Sequence, residues 1–457
     1  MKKEKDTVRY VCSECGREES KWLGRCPSCG AWNSFTEEKV IAQNSNKTQA
    51  AVPVIDKAVR SLSDVTVDEA TRFDSGISEL NRVLGGGIMR PSSVLVGGEP
   101  GIGKSTIMLQ MLSSSAKHGK VLYVSGEESP SQVKLRAIRL GLDLKSISIF
   151  CDTRLEALID AIEELSPSVV VIDSLQTLSS STVPSIAGSP NQMRACCYAL
   201  SLAAKTKNIA MFFIGHVTKE GTLAGPKIVE HLVDTVLYFE TAETGVRFLR
   251  AQKNRFGSVD EIGIFRMDSD GLKPVGDPTE FFISSRHDEE VPPGIAYTAV
   301  VEGSRTFLVE IQALTVPAKS GLSRVYSDRI DIARVNRVAA ILERHAGVRL
   351  SDQDVYINVA GGMKINEVSI ELALALALYS ARSGKALSEN LVSFGELSLA
   401  GEVRPVAFLE KRVKASIDMG FTKMLGPTKL KDTEGMSTCK NIKQAIMIAG
   451  VVGKENI

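Results

Sequence analysis

The chain has 457 residues, enough for two or three domains, and a formal net charge of +1. Because its charges balance, the whole molecule is not a polyelectrolyte, and any nucleic-acid surface must be a local basic patch. The sequence has no apolar run of transmembrane length, and its charged N-terminus leads into no apolar signal segment. We therefore predict a cytoplasmic protein with no membrane partner.

Four of the eight cysteines lie near the N-terminus, in two C-x-x-C pairs separated by ten residues. The pairs are Cys12 with Cys15 and Cys26 with Cys29. Four thiolates at this spacing are typical of tetrahedral zinc, and the segment has too few apolar residues to fold without metal. We predict a zinc finger over residues 1–35, with two disulfides as the alternative that a reducing cytosol disfavours. Whether the finger contacts DNA, a protein or another subunit stays open.

Residues 36–67 are polar and predict a linker, and the next domain is expected over residues 68–277. Ser78 can start a short helix that ends before the three glycines at 85–87. Further on, apolar runs of strand length alternate with segments of helical length. The runs lie at 93–96, 121–124, 169–172, 210–214 and 235–239. This alternation predicts an α/β fold with a mainly parallel sheet covered on both faces.

The stretch from Gly98 to Ser105 reads G-x-x-x-x-G-K-S and lies between a strand and a helix start, as a P-loop requires. Its glycines let backbone amides approach phosphate oxygens, and Lys104 would reach the β- and γ-phosphates. Asp173 ends an apolar strand and would hold Mg²⁺ together with Ser105. The predicted ATP-binding residues are Gly98, Glu99, Pro100, Gly101, Ile102, Gly103, Lys104, Ser105, Thr106 and Asp173.

A second pair of acids, Glu127 and Glu128, follows the apolar run at 121–124. A carboxylate at the end of that strand can polarise the water that attacks the γ-phosphate. A solvated acid at a strand end is the simpler interpretation of either residue. The sequence does not decide between the two, so both are candidate catalytic residues.

The order of these motifs resembles that of RecA-type ATPase cores, and later motifs narrow the resemblance. The segment from Lys253 to Gly257 reads KNRFG, which matches a signature of the bacterial RadA (Sms) family of DNA repair proteins. The four-cysteine N-terminus and the segment from Gly215 to Gly221 match that family as well. The resemblance covers nearly the whole chain. It implies a zinc ribbon or knuckle, a RecA-like P-loop ATPase core and a C-terminal α+β domain similar to the Lon protease domain.

The resemblance also implies an activity and partners. It implies a hexameric, DNA-dependent ATPase and helicase that acts on single-stranded and branched DNA and promotes branch migration in recombination and repair. Recombinase and replication proteins are further expected partners, and ATP, Mg²⁺ and Zn²⁺ are the expected cofactors. An ATP-dependent protease and an ATP-switched protein-binding module are the alternatives.

Two basic residues of the KNRFG segment, Lys253 and Arg255, lie on one face if the segment is extended. They would reach the γ-phosphate of a neighbouring subunit as cationic fingers, or couple the site to DNA. A surface basic pair is the alternative. DNA contacts are expected from a mobile loop at 179–190 and a second loop at 218–227. In the second loop Lys219 and Lys227 suit phosphate contacts, and the preceding His216 could sense γ-phosphate.

Residues 278–457 would form the Lon-like domain. The expected elements are a hairpin over 298–316, helices over 334–345 and 367–381, and strands over 355–359 and 391–397. Ser369 falls at the position of the nucleophile in the Lon resemblance, but the position of its lysine base holds Glu410, with Lys411 next to it. Since a nucleophilic serine needs a base within hydrogen-bond reach, we expect no peptidase activity.

Overall fold

The computed structural model describes residues 7–12, 17–28, 30–40, 72–215, 228–242, 245–276, 283, 291–318, 323–388, 390–428, 430 and 433–450. The chain divides into two compact units, one formed by residues 1–241 and 247–274 and the other by 242–246 and 275–457. Most of the predicted linker lies outside the described residues. Across the described ranges, no helix is long and apolar enough to cross a membrane.

The N-terminal segment forms a small antiparallel sheet. Its strands are β1 (Thr7–Cys12), β2 (Glu18–Glu19) and β3 (Phe35–Val40), and β1 lies between the other two. Cys12, Cys26 and Phe35 are buried together as its core. Strand β3 pairs with β1 as far as Val40, so the paired structure continues beyond residue 35, where the sequence predicted the finger to end.

A large sheet forms the centre of the first unit. A short pair, β4 (Arg72–Phe73) and β5 (Ile88–Met89), precedes it. The sheet strands are β6 (Ser92–Gly97), β7 (Val121–Ser125), β8 (Ile147–Phe150), β9 (Val169–Asp173), β10 (Ala210–Ile214), β11 (Thr235–Thr241), β12 (Val246–Asn254), β13 (Ile262–Asp268) and β14 (Gly271–Pro274). Their order in the sheet is β14-β13-β12-β11-β6-β10-β9-β7-β8.

The strands from β11 to β8 in this order pair in parallel, whereas β12 pairs with β11, and β14 with β13, in antiparallel fashion. The prediction of a mainly parallel sheet is confirmed, and each of the five predicted apolar runs is a strand. Because β6, β7 and β9 run in the same direction, the residues after their carboxyl ends lie along one edge of the sheet. The predicted P-loop, the paired acids and Asp173 all follow these ends.

Helices cover both faces of this sheet. They are α1 (Ser78–Val83), α2 (Lys104–Ser115), α3 (Pro130–Arg139), α4 (Leu155–Leu165), α5 (Pro190–Lys207) and α6 (Ile228–Leu232). Apolar residues of α2 pack into one core, and apolar residues of α4 and α5 pack into a second core. Because successive side chains of a strand point to opposite faces of the sheet, the two cores lie on opposite faces. Ser129 caps the start of α3 and forms a capping box with Gln132, and Pro130 is the first residue of the helix.

The second unit is built on another sheet. Its strands are β15 (Ile295–Glu302), β16 (Arg305–Pro317), β17 (Val325–Ser327), β18 (Gln353–Val359), β19 (Leu391–Ser393), β22 (Lys423–Gly426) and β23 (Met436–Thr438), in the order β17-β18-β16-β15-β19-β22-β23. A separate pair consists of β20 (Glu396–Leu397) and β21 (Val403–Arg404). The helices are α7 (Ile332–Ala346), α8 (Glu371–Ser383), α9 (Leu409–Asp418) and α10 (Ile442–Ala449).

Two predicted elements of this unit differ from the structure. The helix expected from residue 367 begins later, because Val368–Ile370 forms a 3₁₀ turn ahead of α8. The strand expected over 391–397 is interrupted between β19 and β20. At the interruption, the Gly395 amide donates a hydrogen bond to the Ser369 carbonyl at 2.9 Å. The backbone there pairs with the 3₁₀ turn instead of with a strand of the sheet.

Candidate functional site

The loop between β6 and α2 depends on glycine. Gly98, Gly101 and Gly103 have φ angles of 150°, 78° and 111°, in the left-handed region that other residues disfavour. A Cβ atom on Gly103 would also lie 2.7 Å from a methyl carbon of Leu272, so a side chain does not fit there. The loop leads directly into α2, whose N-terminal amides attract anions. This backbone conformation suits a phosphate-binding loop.

Lys104 is held inside the same loop. Its ammonium group donates hydrogen bonds to the carbonyl oxygens of Gly98 and Glu99, at 2.7 and 2.9 Å, and the residue is only 4% exposed. Burial lowers the pKa of Lys104, whereas the carboxylates of Asp173 and Glu127 oppose this shift. Lys104 is therefore a buried cation close to two acids, and its two carbonyl partners are weaker acceptors than a phosphate oxygen.

A cavity of ≈ 620 Å³ opens beside the loop. Sites for small molecules are typically about 300–1,000 Å³, so the cavity can hold a nucleotide. Residues of the P-loop and of the start of α2 line one part of it, and Arg136 and Arg139 of α3 with the adjoining Leu140 line another. The end of β13 contributes Asp268, and the turn after it contributes Ser269.

Asp173 at the end of β9 is buried and hydrogen-bonded. The hydroxyl of Tyr123, on the adjacent strand β7, donates to Oδ2 of Asp173 at 2.5 Å. Burial, followed by the charge of Asp173, raises the pKa of Tyr123 well above its usual value. Tyr123 therefore stays protonated and remains a hydrogen-bond donor. Sequence reasoning missed this residue, because a tyrosine within an apolar strand looks like an ordinary core residue.

The two acids after β7 have different partners. The Ser174 hydroxyl donates to Oε1 of Glu127 at 2.6 Å, which holds Glu127 next to the end of β9. Glu128 accepts a hydrogen bond from Nη2 of Arg136 at 2.5 Å, and its Oε2 is buried without a hydrogen-bond partner among the described residues. Glu127 is solvent-exposed and lies close enough to Lys104 to affect the pKa of the lysine. Glu128, in contrast, is bound to Arg136 of α3.

Lys253 and Arg255 bind a segment of their own chain. The Lys253 ammonium donates to the carbonyl oxygens of Glu230, His231 and Val233, at 2.9, 3.3 and 2.6 Å. Lysines commonly bind the last carbonyls of a helix in this way, and here the helix is α6. The segment that Lys253 binds directly follows residues 216–227, which lie outside the described residues.

Arg255 binds the same segment through a carboxylate. Its Nη1 lies 3.2 Å from Oδ1 of Asp234, while 56% of the arginine side chain stays exposed. Asp234 is buried and also accepts hydrogen bonds from the amide and hydroxyl of Ser93, the second residue of β6. Both cations therefore bind the segment of residues 230–234 in their own chain. Burial is the main cause that lowers the pKa of Lys253, and Arg255 adds to it.

The glycine of the KNRFG segment has a packing role. A Cβ atom on Gly257 would lie 2.7 Å from the Cα of Gly85, so the two backbones touch. Arg72 strengthens this contact by donating from Nη2 to the carbonyl oxygen of Phe256 at 2.8 Å. The three consecutive glycines at 85–87 were the signal in the sequence that another backbone approaches closely.

Three family models match parts of the chain. One described as an AAA domain matches residues 58–222, and one described as a rubredoxin metal-binding domain matches residues 10–37. A third, described as subunit ChlI of magnesium chelatase, matches residues 328–429. Along the sequence, these three ranges follow the predicted order of metal-binding finger, ATPase core and C-terminal domain.

Curated relatives match nearly the whole chain. A DNA repair protein RadA of Treponema pallidum is 48% identical over 92% of this chain and 91% of its own length. A DNA repair protein RadA of Bacillus subtilis is 42% identical over 99% of this chain and 97% of its own length. The one of Haemophilus influenzae is 41% identical, with 92% of each chain covered.

The chain belongs to the RadA family of DNA repair proteins. The resemblance inferred from the motifs is therefore confirmed, and with it the fold class: a RecA-like P-loop core, an N-terminal zinc ribbon and a C-terminal Lon-like domain. Among solved structures, a KaiC-like protein, PH0186 of Pyrococcus horikoshii, is similar with a TM-score of 0.38 and 19% identity, covering 45% of this chain and 98% of that one. The ATPase domain and the RadA relatives support an ATP-hydrolysing enzyme.

The metal-binding module of this RadA-family chain is described in part. Cys12 and Cys26 are buried, and the amide of each donates a hydrogen bond to the carbonyl five residues later, that of Arg17 or Ala31. Cys15 and Cys29 lie outside the described residues. The two buried thiols fit one half each of a four-thiolate site. In the parts of the chain that the structure describes, no group of three or more metal-ligating side chains occurs.

Of the two loops expected to contact DNA, the structure describes the loop at 179–190 but not the loop at 218–227. Lys219, Lys227 and His216 lie outside the described residues. The loop at 179–190, which its composition predicted to be mobile, is hydrogen-bonded in its first half. The buried Gln192 side chain accepts a hydrogen bond from the Ser180 amide and donates to the carbonyls of Ser180, Val183 and Ser185. The side-chain amide of Gln192 thus fixes the first half of the loop by hydrogen bonds. No local pattern in the sequence predicts this contact.

In the C-terminal unit, an arginine occupies the place beside the serine. Nη1 of Arg412 donates to the Ser369 hydroxyl at 3.1 Å, and Arg412 also bonds the carboxylate of Glu367. Burial lowers the pKa of Arg412 to about 10, so the guanidinium stays protonated near pH 7 and cannot act as a base. The sequence comparison considered Glu410 and Lys411 and missed Arg412. The feature that could have indicated Arg412 is its position on the buried face of α9, one turn before Ser416.

Proposed function

We propose that this RadA-family chain is a DNA-dependent ATPase that works as a helicase on single-stranded and branched DNA, promoting branch migration during recombination and repair. The observation that carries the proposal is the contact of Lys253 and Arg255 with residues 230–234. That segment connects the predicted DNA loop at 218–227 to the sheet that presents the ATP site. We also propose a cytoplasmic location, because the proposed partner is DNA.

Each residue of the proposed ATP site is assigned one role in hydrolysis. The backbone of residues 98–106 and Lys104 bind the phosphates. The Ser105 hydroxyl and the Asp173 carboxylate are oxygen donors of the kind Mg²⁺ prefers, and the bound ion would neutralise charge on the β- and γ-phosphates. Glu127 is the base that orients and activates the attacking water, because it is exposed and lies beside β9 and Lys104. Glu128 acts indirectly by fixing Arg136.

Coupling to DNA would use the two cations differently. Lys253 fixes the end of α6 and would couple DNA binding by Lys219 and Lys227 to the sheet. The Arg255 guanidinium, with more than half of its side chain exposed, is the better candidate to reach the γ-phosphate of a neighbouring subunit. This assignment requires a ring, and a homohexamer is the form that we propose. Lys219 and Lys227 would contact DNA phosphates.

Zinc is the metal proposed for the N-terminal module, with Cys12, Cys15, Cys26 and Cys29 as ligands. The module is a candidate contact for recombinase or replication proteins. A protease function has less support, because Ser369 is bonded to Arg412, which cannot accept its proton.

The test combines ATP hydrolysis, nucleotide binding and unwinding of forked DNA by the full-length protein. We expect Lys104→Ala to abolish hydrolysis and unwinding. We expect Lys253→Ala to retain nucleotide binding but lose stimulation by DNA and unwinding, because the end of α6 is no longer fixed to the sheet. Lys117→Ala and Lys205→Ala replace exposed lysines of the same unit and serve as controls.

The outcomes separate the alternatives. If single-stranded DNA neither binds nor stimulates hydrolysis by the wild type, the helicase proposal is wrong and an ATP-switched protein-binding module is favoured. If ATP-dependent cleavage of casein occurs and requires Ser369, the protease alternative is correct.

A further inference from the structure

Tyr123 is the one polar side chain in the middle of β7. The residues around it on the strand are Val121, Leu122 and Val124, and all are buried. Tyr123 itself is 0% exposed, and its position in the register lies between Val171 on β9 and Ile149 on β8. A phenylalanine would supply the same ring to this core. The hydroxyl group is therefore the feature that packing does not explain.

The hydroxyl makes a single described contact, with Oδ2 of Asp173. A buried hydroxyl without a partner costs free energy, so its position between two strands is favourable only if an acceptor is there. Asp173 lies two residues beyond the strand position that faces Tyr123, at the end of β9. The tyrosine thus reaches along the sheet to the acid from inside the core, on the side away from solvent.

A carboxylate has two oxygens and can rotate about its bond to the chain. When Tyr123 holds Oδ2, the rotation is restricted and the second oxygen keeps a defined direction. Residues that hydrogen-bond a metal-ligating carboxylate typically change metal affinity by about 10- to 100-fold when they are replaced. Lys104 is within electrostatic reach of Asp173, so the carboxylate lies at the phosphate-binding loop.

We propose that Tyr123 is a positioning residue for magnesium: its hydroxyl fixes the carboxylate of Asp173 so that the free oxygen faces the ion that accompanies ATP. The inference rests on the proposed role of Asp173 in the ATP site. Arg136 and Glu128 also affect Tyr123 through their charges, so the same hydroxyl lies close to the ion pair that joins Glu128 to α3.

The test measures how magnesium supports nucleotide binding. Binding of a fluorescent, non-hydrolysable ATP analogue is followed by anisotropy as the Mg²⁺ concentration rises, and again in excess EDTA. For Tyr123→Phe we expect the half-saturating Mg²⁺ concentration to rise about 10-fold. Affinity in EDTA should not change, and excess Mg²⁺ should restore binding and hydrolysis. A purely structural role would weaken binding equally with and without the ion.

Further variants make the result decisive. Tyr198→Phe removes an exposed hydroxyl from α5 and should reproduce the wild-type Mg²⁺ curve. Asp173→Asn should shift the curve at least as far as Tyr123→Phe, and the double variant should add little to Asp173→Asn. If Tyr123→Phe melts at a lower temperature, both proteins are titrated with Mg²⁺ below the melting transition of the variant.

The opposite results identify which idea is wrong. If Asp173→Asn shifts the Mg²⁺ curve and Tyr123→Phe does not, the inference about Tyr123 is overturned while the proposed ATP site stands. If neither variant shifts the curve, the assignment of Asp173 to magnesium fails, and the inference fails with it.

Discussion

Two buried cations show how differently the two units use a similar arrangement. Lys104 in the first unit and Arg412 in the second are both enclosed, and both lie close to a serine and to acids. Lys104 donates to two loop carbonyls beside a cavity, so its partners can be exchanged for a phosphate. Arg412 bonds the carbonyls of Ala299 and Ala407 as well as Ser369 and Glu367, so its donors are already used within the fold.

A site that binds a ligand therefore needs side chains whose hydrogen-bond partners within the protein can be replaced. Where a cation retains partners that a ligand can replace, binding and chemistry remain available. Where every donor has a fixed partner, the same kind of group contributes to stability instead. Changes at the ATP site should therefore reduce activity and leave the fold intact, whereas changes around Arg412 should reduce stability and leave ATP hydrolysis intact.

The largest effect is expected at Glu127. Glu127→Gln should lower the turnover number for ATP by about 10²- to 10⁴-fold, because the amide cannot accept the proton of the attacking water. The melting temperature should stay at the wild-type value. Phosphate release in a single turnover measures the effect.

Glu128→Gln is the matched comparison for this prediction. It removes the acid that binds Arg136 but leaves the water-activating group in place, so the loss should be much smaller. A loss as large as that of Glu127→Gln would show that the roles of the two acids have been exchanged.

A large effect on stability is expected at Arg412. Arg412→Met leaves the Glu367 carboxylate without its buried partner, and breaking such a pair costs about 3–5 kcal/mol. Urea unfolding followed by circular dichroism measures the loss, and ATP hydrolysis at low temperature should be unchanged. Arg404→Met removes an exposed arginine of the same unit and should change stability little. Equal stability of the two variants would contradict the role assigned to Arg412.

A smaller effect is expected where the KNRFG segment meets the glycines at 85–87. Gly257→Ala would place a Cβ atom 2.7 Å from the Cα of Gly85, which forces the two backbones apart. Overpacking of this kind costs about 1–3 kcal/mol. Thermal melting measures the loss, and Gly276→Ala, whose Cβ would meet nothing within 4 Å, is the control. If both variants melt together with the wild type, the close contact is absent in solution.

The smallest effect is expected at Ser369. Ser369→Ala removes the hydroxyl that accepts a hydrogen bond from Arg412, a contact worth about 1 kcal/mol. Urea unfolding should detect this small loss, and neither ATP hydrolysis nor casein cleavage should differ from the wild type. A complete loss of any activity in this variant would show that the serine has kept a chemical role.

The sequence alone determined the P-loop, the acid at the end of β9, the pairs of cysteines and the strands of the parallel sheet. These features depend on residues that are neighbours in the chain, where backbone conformation and burial follow a short local pattern. For the same reason the KNRFG segment was sufficient to suggest the family, which near full-length relatives then confirmed.

Only the tertiary structure decided which of these residues meet. Strand order places β7 next to β9, and so brings Tyr123 to Asp173, which lies 50 positions away. The same is true of Arg412 and Ser369, 43 positions apart, and of the contact between Gly85 and Gly257. The proposal of Glu127 rather than Glu128 as the base also rests on which neighbour each side chain binds. Contacts of this kind depend on the order of strands and the direction of side chains, which no local pattern of residues specifies.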